Sequence, residues 1–183
     1  MAIKPDCRII LVTTAMTDHE LERLYDSHAG GLFHYLVTFT RTEADARDLL
    51  QELFIKLARG AAKEGVQSEK AWLYRLAHNL AVDWLRRRKV RWDAEEKLLQ
   101  EMESGHHPVT DPDSVILANH FAEAMKSLPD EQRVVMQLKL WEGMTFEEIA
   151  EAQGIPLNTA ASRYRYGLEK LRIVLRPLYE ELT

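Results

Sequence analysis

Apolar residues recur every three or four positions along most of this chain, which is the spacing of one buried face of an α-helix. The first helical stretch begins at Thr17, where Glu20 has capping-box spacing, and we expect the pair Gly30 and Gly31 to interrupt or bend it. The second stretch begins at Thr42. Its predicted buried stripe consists of Ala46, Leu49, Leu50, Leu53 and Leu57. Both stretches predict amphipathic helices that bury one face.

The stretch from Ser68 to Trp92 is predicted to form a central helix, on which the rest of the chain is organised. Ser68 can cap a helix there. Its predicted buried face carries Leu73, Leu76, Ala77, Leu80 and Trp84. On the opposite face, Arg75, Asn79 and Arg86 form one stripe. The helix then runs into a cationic cluster made of Arg86, Arg87, Arg88, Lys89 and Arg91.

The composition changes after Trp92, where acidic residues dominate and Gly105, Pro108 and Pro112 break any long helix. Helical spacing then returns, and the turn at Gly154 between two helices predicts a helix-turn-helix unit. We expect Asn158 to cap the final helix. Its predicted inward residues are Ala160, Tyr164, Leu168, Leu171 and Leu175.

The predicted fold is therefore all-α, with two small helical domains. They span residues 17–92 and 114–183, joined by a flexible acidic linker over 93–113. Residues 1–16 are expected to form a poorly ordered extension.

The composition of the chain limits how it can bind nucleic acid or a membrane. The chain has 183 residues, 46% of them hydrophobic and 29% charged, and its formal net charge of -5 excludes a uniformly basic coat for nucleic acid. Any such contact must be local. The single cysteine, Cys7, excludes an internal disulfide and fits a reducing, cytoplasmic compartment. No apolar run approaches the roughly 20 residues of a membrane span, so no membrane insertion is expected.

Two cationic surfaces are candidates for nucleic-acid binding. On the central helix, Asn79 beside arginines can read base edges, clustered arginines can hold phosphates, and Trp72 and Tyr74 offer stacking platforms for unpaired bases. On the final helix, short polar residues precede Tyr166 and several cations. These candidates are Thr159, Ser162, Arg163, Arg165, Tyr166 and Lys170. The alternatives are a solvated helix end and a helical hairpin that only packs.

The second helix carries an acidic outer face with an apolar residue inside it. The face consists of Asp45, Asp48, Gln51, Glu52 and Ile55. An exposed isoleucine among carboxylates suits docking on a basic protein surface. The alternative is a solvated face with one stray apolar residue.

Catalytic and metal-binding patterns are missing from the sequence. It contains no pairing of nucleophile with base and no glycine-rich phosphate loop. His106 and His107 are adjacent but have no cysteine or third ligand nearby, which makes a poor metal site. We therefore expect no enzyme activity, no metal and no cofactor.

Three segments together resemble the extracytoplasmic-function sigma factors, a two-domain class of bacterial RNA polymerase specificity subunits. They are DARDLLQELFIKL from Asp45, AWLYRLAHNLAVDWLRRRK from Ala71, and LPDEQRVVMQLKLWEGMTFEEIAEAQGIPLNTAASRYR from Leu128. Their order and their separation by an acidic linker make the combination specific.

The resemblance implies a division of labour. The acidic outer face of the second helix would dock on the β′ clamp helices of core polymerase, and the C-terminal domain would also touch the β flap. The loop from Gly60 to Glu69 and the central helix would together capture and open the minus-10 promoter element. The implied contacts on this helix are Trp72, Arg75, Asn79, Arg86, Arg87, Arg88 and Lys89. The final helix would read the minus-35 element as duplex, and an anti-sigma factor is an expected partner.

The chain departs from the family pattern at three positions of the final helix. Ala161 stands where members often carry lysine, and Tyr166 and Leu168 stand where they often carry arginine. These changes remove phosphate contacts. A stand-alone helix-turn-helix regulator is the rival interpretation, but such a protein would not need the acidic face from Asp45 to Glu52.

Overall fold

The computed structural model describes residues 16–61, 68–95 and 120–181, with side chains described over 16–61, 68–88 and 120–176. Every regular element in these ranges is an α-helix, which confirms the all-α prediction. The helices are α1 (Asp18–Thr40), α2 (Glu43–Ala58), α3 (Glu69–Glu95), α4 (described over 120–126), α5 (Asp130–Leu140), α6 (Phe146–Gln153) and α7 (Leu157–Glu181). The predictions for residues 1–15, for most of the loop before α3, for His106 and His107 and for most of the linker lie outside the described residues.

Helix α1 begins as predicted but does not break at its glycine pair. Thr17 and Glu20 form a reciprocal capping box, and the helix runs without interruption through Gly30 and Gly31. The expected bend is therefore wrong. A glycine inside a helix costs roughly 1 kcal/mol relative to alanine, whereas each large side chain that α1 buries beyond the pair contributes about 1.5–3 kcal/mol. Leu32, Tyr35 and Leu36 are such residues, and each is fully buried.

The first three helices form an N-terminal unit around the leucine stripe of α2. The five predicted residues of that stripe are all buried: Ala46, Leu49, Leu50, Leu53 and Leu57. Ser68 caps α3 as expected, because its hydroxyl accepts a hydrogen bond from the Ala71 backbone N–H at 3.3 Å. Helix α3 lies against both α1 and α2.

Helices α4 to α7 form a C-terminal unit with a small core of its own. This core contains Ala124, Met125, Leu128, Met136 and Leu171. Two details of α7 differ from the predictions. The helix begins at Leu157, so Asn158 lies in its first turn and not at its cap. Leu168 is 47% exposed, because the inward position of that turn belongs to Gly167, whose backbone packs against the Met136 side chain.

The two units are packed against each other. Helix α3 packs along α6, and α1 packs against α5. One buried cluster runs through both units, joining Leu73 and Tyr74 of α3 to Val135 and Leu138 of α5 and to Ile149 of α6. Across the described ranges, no helix is both long enough and apolar enough to cross a membrane.

The neighbouring leucines of α7 give a matched test of this packing. We expect Leu171→Ala, at a site 3% exposed, to lower the free energy of unfolding by about 2–5 kcal/mol. Leu168→Ala should change it by less than about 1 kcal/mol, because that side chain lies mostly in water. Urea unfolding followed by circular dichroism measures both. Equal losses would contradict the observed orientation of α7.

Candidate nucleic-acid and protein interfaces

The outer face of α2 presents acidic and apolar groups together. Asp48 and Gln51 are exposed, and Ile55 between them and the helix end is 48% exposed. Glu52 pairs with Lys56 at 3.3 Å, one turn along the same helix. Such a face can form charge-assisted contacts with a basic protein surface while Ile55 loses its contact with water.

Asp45 behaves differently from the other acidic residues of α2. Its carboxylate accepts a hydrogen bond from the Thr42 hydroxyl and pairs with Arg88 of α3 at 3.3 Å. Arg88 also lies over the Trp84 ring, 4.7 Å from its centroid. Asp45, a predicted contact with polymerase, and Arg88, a predicted contact with DNA, therefore form an ion pair with each other in this structure.

The polar stripe of α3 faces solvent as predicted. Arg75, Asn79, Arg86 and Arg87 are all exposed. Arg86 pairs with Asp83 at 3.7 Å, and Arg87 donates to the Asp83 backbone carbonyl. Both contacts leave the guanidinium groups accessible to phosphate. Lys89 belongs to α3, but its side chain is outside the described ones.

The aromatic residues near the start of α3 do not stand as stacking platforms. Trp72 is 3% exposed and Tyr74 is fully buried, which corrects the expectation that their rings are available to bases. Simple periodicity assigned α3 one buried face, whereas the helix has neighbours on two sides. Tyr74 lies where these contacts meet, with its ring against Tyr35 of α1 and its hydroxyl near Glu142 of the C-terminal unit.

The helix-turn-helix unit has the predicted turn. Gly154 adopts a left-handed conformation with φ 65, which ends α6, and the Ile155 N–H bonds to the Ala150 carbonyl at 3.0 Å. Along α7, Arg165, Tyr166 and Lys170 are exposed, and Thr159 and Ser162 are half-buried. The Arg165 guanidinium lies 5.1 Å from the Tyr166 ring centroid. Together these side chains form one polar and cationic surface.

Arg163 is the exception on α7. It pairs with Glu131 of α5 at 2.5 Å, and its side chain is only 23% exposed. Its charge also reaches His78 of α3, where burial first and then Arg163 lower the histidine pKa. In this structure Arg163 is therefore held against α5 of its own unit, close enough to α3 for its charge to act on His78, and it does not belong to the open surface of α7.

His78 makes a contact that was not predicted from the sequence. Its Nδ1 lies 3.0 Å from the hydroxyl of Tyr35, which is fully buried, so the two side chains share one hydrogen bond inside the N-terminal unit. Burial raises the pKa of Tyr35. The available signal was a histidine one turn before the buried Ala81 and one turn after Tyr74, a position that faces another helix.

A carboxylate pair at the start of α3 was also missed. Glu142 follows α5 and pairs with Lys70 at 2.9 Å, and both side chains are mostly buried. Glu148 in α6 carries a depressed pKa, caused mainly by a hydrogen bond from the Thr145 backbone and, more weakly, by one to the Ser68 side chain. Both carboxylates thus come from the C-terminal unit to the N-terminal end of α3.

Comparison with known families identifies both units. The family model described as sigma-70 region 2 matches residues 24–91, and the model described as sigma-70 region 4 matches residues 124–172. The RNA polymerase sigma factor SigL of Mycobacterium tuberculosis, an extracytoplasmic-function (ECF) member, is 30% identical over 163 residues, which are 86% of this chain and 90% of the relative. The chain belongs to the ECF sigma factors of the sigma-70 family.

Other relatives extend the same likeness. The ECF sigma factor SigW of Bacillus subtilis is 33% identical over 144 residues, covering 73% of this chain and 77% of the relative. Among solved structures, the sigma factor RpoE of Bartonella quintana in complex with the anti-sigma factor NepR has a TM-score of 0.69 at 20% identity, covering 85% of this chain and 96% of that one. CnrH in complex with the cytosolic domain of CnrY has a TM-score of 0.61 at 19% identity, covering 90% and 93%. At these identities the structures support the two-unit helical fold.

The half-buried His78 of this sigma factor predicts a dependence of stability on pH. The folded pKa of His78 lies below the unfolded value of about 6.5, so the unfolded state binds more protons as pH falls below that value. The stability that neutral His78 contributes is therefore present above about pH 6.5 and is lost on acidification through the folded pKa. His28 shifts in the same direction, first through burial and then through Lys70.

We expect the melting temperature of the wild type to fall between pH 7.5 and 5.5, and His78→Asn to reduce that fall. Asparagine keeps a hydrogen-bonding partner for the Tyr35 hydroxyl but cannot take up a proton. Differential scanning calorimetry at several pH values measures the effect. His19→Asn, on the exposed first turn of α1, is the control and should follow the wild type. An unchanged profile for His78→Asn would contradict the assignment.

Proposed function

We propose that this sigma factor binds core polymerase through α2, recognises the minus-10 element through α3 and the minus-35 element through α7, and helps to open the DNA. The observation that carries the proposal is the presence, in one ECF sigma factor, of an acidic face with exposed Ile55 and two exposed cationic surfaces on other helices. A factor that directs polymerase to a start site needs these separate surfaces.

At the minus-10 element, Arg75, Asn79, Arg86 and Arg87 are the supported contacts, because they are exposed along one helix. Asparagine presents a donor and an acceptor to a base edge, and arginines hold phosphates on either side. Arg88 can also contact a phosphate if its ion pair with Asp45 breaks. Trp72 is buried in this structure, so it can contact a base only after the packing around it opens.

At the minus-35 element, Arg165, Tyr166 and Lys170 would contact duplex DNA from the exposed side of α7. Thr159 and Ser162 lie nearer the helix N-terminus, the part of a recognition helix that approaches base edges. The Ser162 hydroxyl donates to the Thr159 carbonyl at 3.0 Å, which leaves its oxygen free to accept from a base. Arg163 joins this surface only after leaving Glu131.

The partners of this chain are core polymerase, at the β′ clamp helices and the β flap, and promoter DNA. An anti-sigma factor is a further proposed partner, since the solved structures of RpoE and CnrH both hold a bound partner chain, which for RpoE is the anti-sigma factor NepR. Acting with polymerase implies a cytoplasmic location and no catalysis by this chain. The rival role as a stand-alone helix-turn-helix regulator leaves the acidic face of α2 unexplained.

Runoff transcription with purified core polymerase tests the proposal. Across a library of genomic promoter fragments, the added protein should produce transcripts with new start sites. A protein that binds DNA but leaves the start sites of core polymerase unchanged would instead support the regulator.

The acidic face predicts a charge-reversal variant. Asp48→Arg should weaken binding to core polymerase about 100-fold or more, because a cation facing a basic surface costs several kcal/mol. Surface plasmon resonance with immobilised core enzyme measures this loss. Glu22→Arg, an equal charge change on the exposed side of α1, should bind as the wild type does. Unchanged affinity of Asp48→Arg would remove α2 from the interface.

The surface of α7 predicts a change in salt dependence. In the holoenzyme, Arg165→Ala should lower the slope of log affinity for promoter duplex against log salt by about one, because one phosphate contact is lost. Fluorescence anisotropy over a series of salt concentrations measures the slope. Arg47→Ala, an exposed arginine of α2, is the matched control and should keep the wild-type slope. A normal slope for Arg165→Ala would exclude this residue.

A further inference from the structure

One carboxylate of the C-terminal unit is buried in the N-terminal unit. The Glu142 side chain is 15% exposed and pairs with Lys70, which is 28% exposed and also donates to the backbone carbonyl of Glu142. Removing either partner leaves the other charge in a site with little water. Replacing one partner while the units stay packed therefore costs more than the same change in an exposed ion pair of the same length.

The carboxylate sits in a notch that exists because residue 31 is glycine. A Cβ atom at Gly31 would lie 2.5 Å from the Glu142 Oε1 and 2.5 Å from the Tyr74 hydroxyl, closer than atoms can approach. At Gly30, the next residue of the same helix, a Cβ would meet nothing within 4 Å. Gly31 is helical, so the absence of a side chain matters here for space and not for backbone conformation.

Tyr74 forms another wall of the notch. Its hydroxyl is buried without a well-formed hydrogen bond, and burial together with the nearby Glu142 charge raises its pKa. The hydroxyl is therefore a neutral neighbour of the carboxylate. Lys70 lies in the first turn of α3, where the positive end of the helix dipole also favours an anion.

The closed packing cannot persist at a promoter. The two elements lie roughly 25 base pairs apart, as their names say, which is about 85 Å of duplex at roughly 3.4 Å per base pair. Two touching globular units of this size have centres only about 30 Å apart. The units must therefore separate before α3 and α7 can each reach an element.

We propose that Glu142, seated in the Gly31 notch against Lys70, is a latch that holds the free sigma factor closed until core polymerase and promoter draw the units apart. The opening step rests on the proposed function, whereas the latch itself concerns the free chain. Closure by the latch keeps α3 and α7 packed in one body, so that the predicted DNA contacts of these two helices can reach separate promoter elements only after release.

Fluorescence energy transfer in the full-length protein tests the latch. Donor and acceptor dyes are attached at Glu22→Cys in α1 and Glu123→Cys in α4, both exposed, in a Cys7→Ser background. The free wild type should show one population with high transfer. Glu142→Gln, which removes the charge but keeps the size, should raise the ratio of open to closed molecules by about tenfold or more. Gly31→Ala in a Tyr74→Phe background should do the same, because the added methyl group then meets only the carboxylate.

Two controls isolate the notch. Gly30→Ala makes the same change one residue earlier, and Glu147→Gln makes the same change at an exposed position of α6. Both should leave the transfer distribution of the wild type. The proposal is overturned if the free wild type is already open, or if Glu142→Gln stays as closed as Glu147→Gln.

Adding core polymerase separates the latch from the proposed function. With core enzyme and promoter DNA, the wild type should lose the high-transfer population. If Glu142→Gln opens the free chain but polymerase does not bind the wild type, the latch stands and the proposed function fails. If polymerase binds and transcribes but Glu142→Gln remains closed when free, the function stands and the latch fails.

Discussion

Helix α3 has to satisfy neighbours on two sides at once, and most of the structure follows from that constraint. Helices α1 and α2 cover one side, and α6 covers another. From Glu69 to Asp83, the exposed residues of α3 are Arg75, Asn79 and Asp83, which lie along one strip of the helix. This part of α3 has little free surface, which is why its exposed predicted DNA contacts, Arg75 and Asn79, lie in a single line.

The sequence predicts well wherever one helix has one partner surface. The stripe of α2 was predicted residue by residue, because its apolar positions face only the N-terminal unit. The Thr17 capping box and the Ser68 cap were also predictable, since their partners lie within three residues. In such cases the spacing of residues within one helix is enough to predict which side chains are buried or capped.

It predicts poorly where a second, distant surface decides the outcome. Tyr74 is buried against Tyr35 of α1 and near Glu142 of the C-terminal unit, and Trp72 is buried as well, so no pattern within α3 alone indicates that these rings leave the solvent. From the sequence, Gly31 was predicted to interrupt or bend α1. Its actual role is to leave space for Glu142, which lies more than a hundred positions later in the chain and could not be identified from local spacing. For a similar reason, the inward position of α7 is occupied by Gly167 and not by the predicted Leu168. The Met136 side chain fills the space that a larger side chain at this position would need.

The charges of the molecule fall into two energetic classes. Arg163 with Glu131 and Arg88 with Asp45 are pairs in which one or both side chains stay at least a third exposed, and such pairs contribute about 0–1 kcal/mol. A phosphate can replace these carboxylates with little loss. Glu142 with Lys70 is different, because both side chains are mostly withdrawn from water, so that removing one partner from the closed structure leaves the other charge buried and unpaired.

This difference couples closure to binding. A ligand can shift a two-state equilibrium only by its preference for one state, so polymerase and promoter must each favour the open chain. The apparent affinity for either ligand equals its affinity for the open chain multiplied by the fraction of molecules that are open. By linkage, whichever ligand binds first removes that penalty for the second. A latch at the start of α3 would therefore make core polymerase and promoter DNA cooperate without any contact between their binding surfaces.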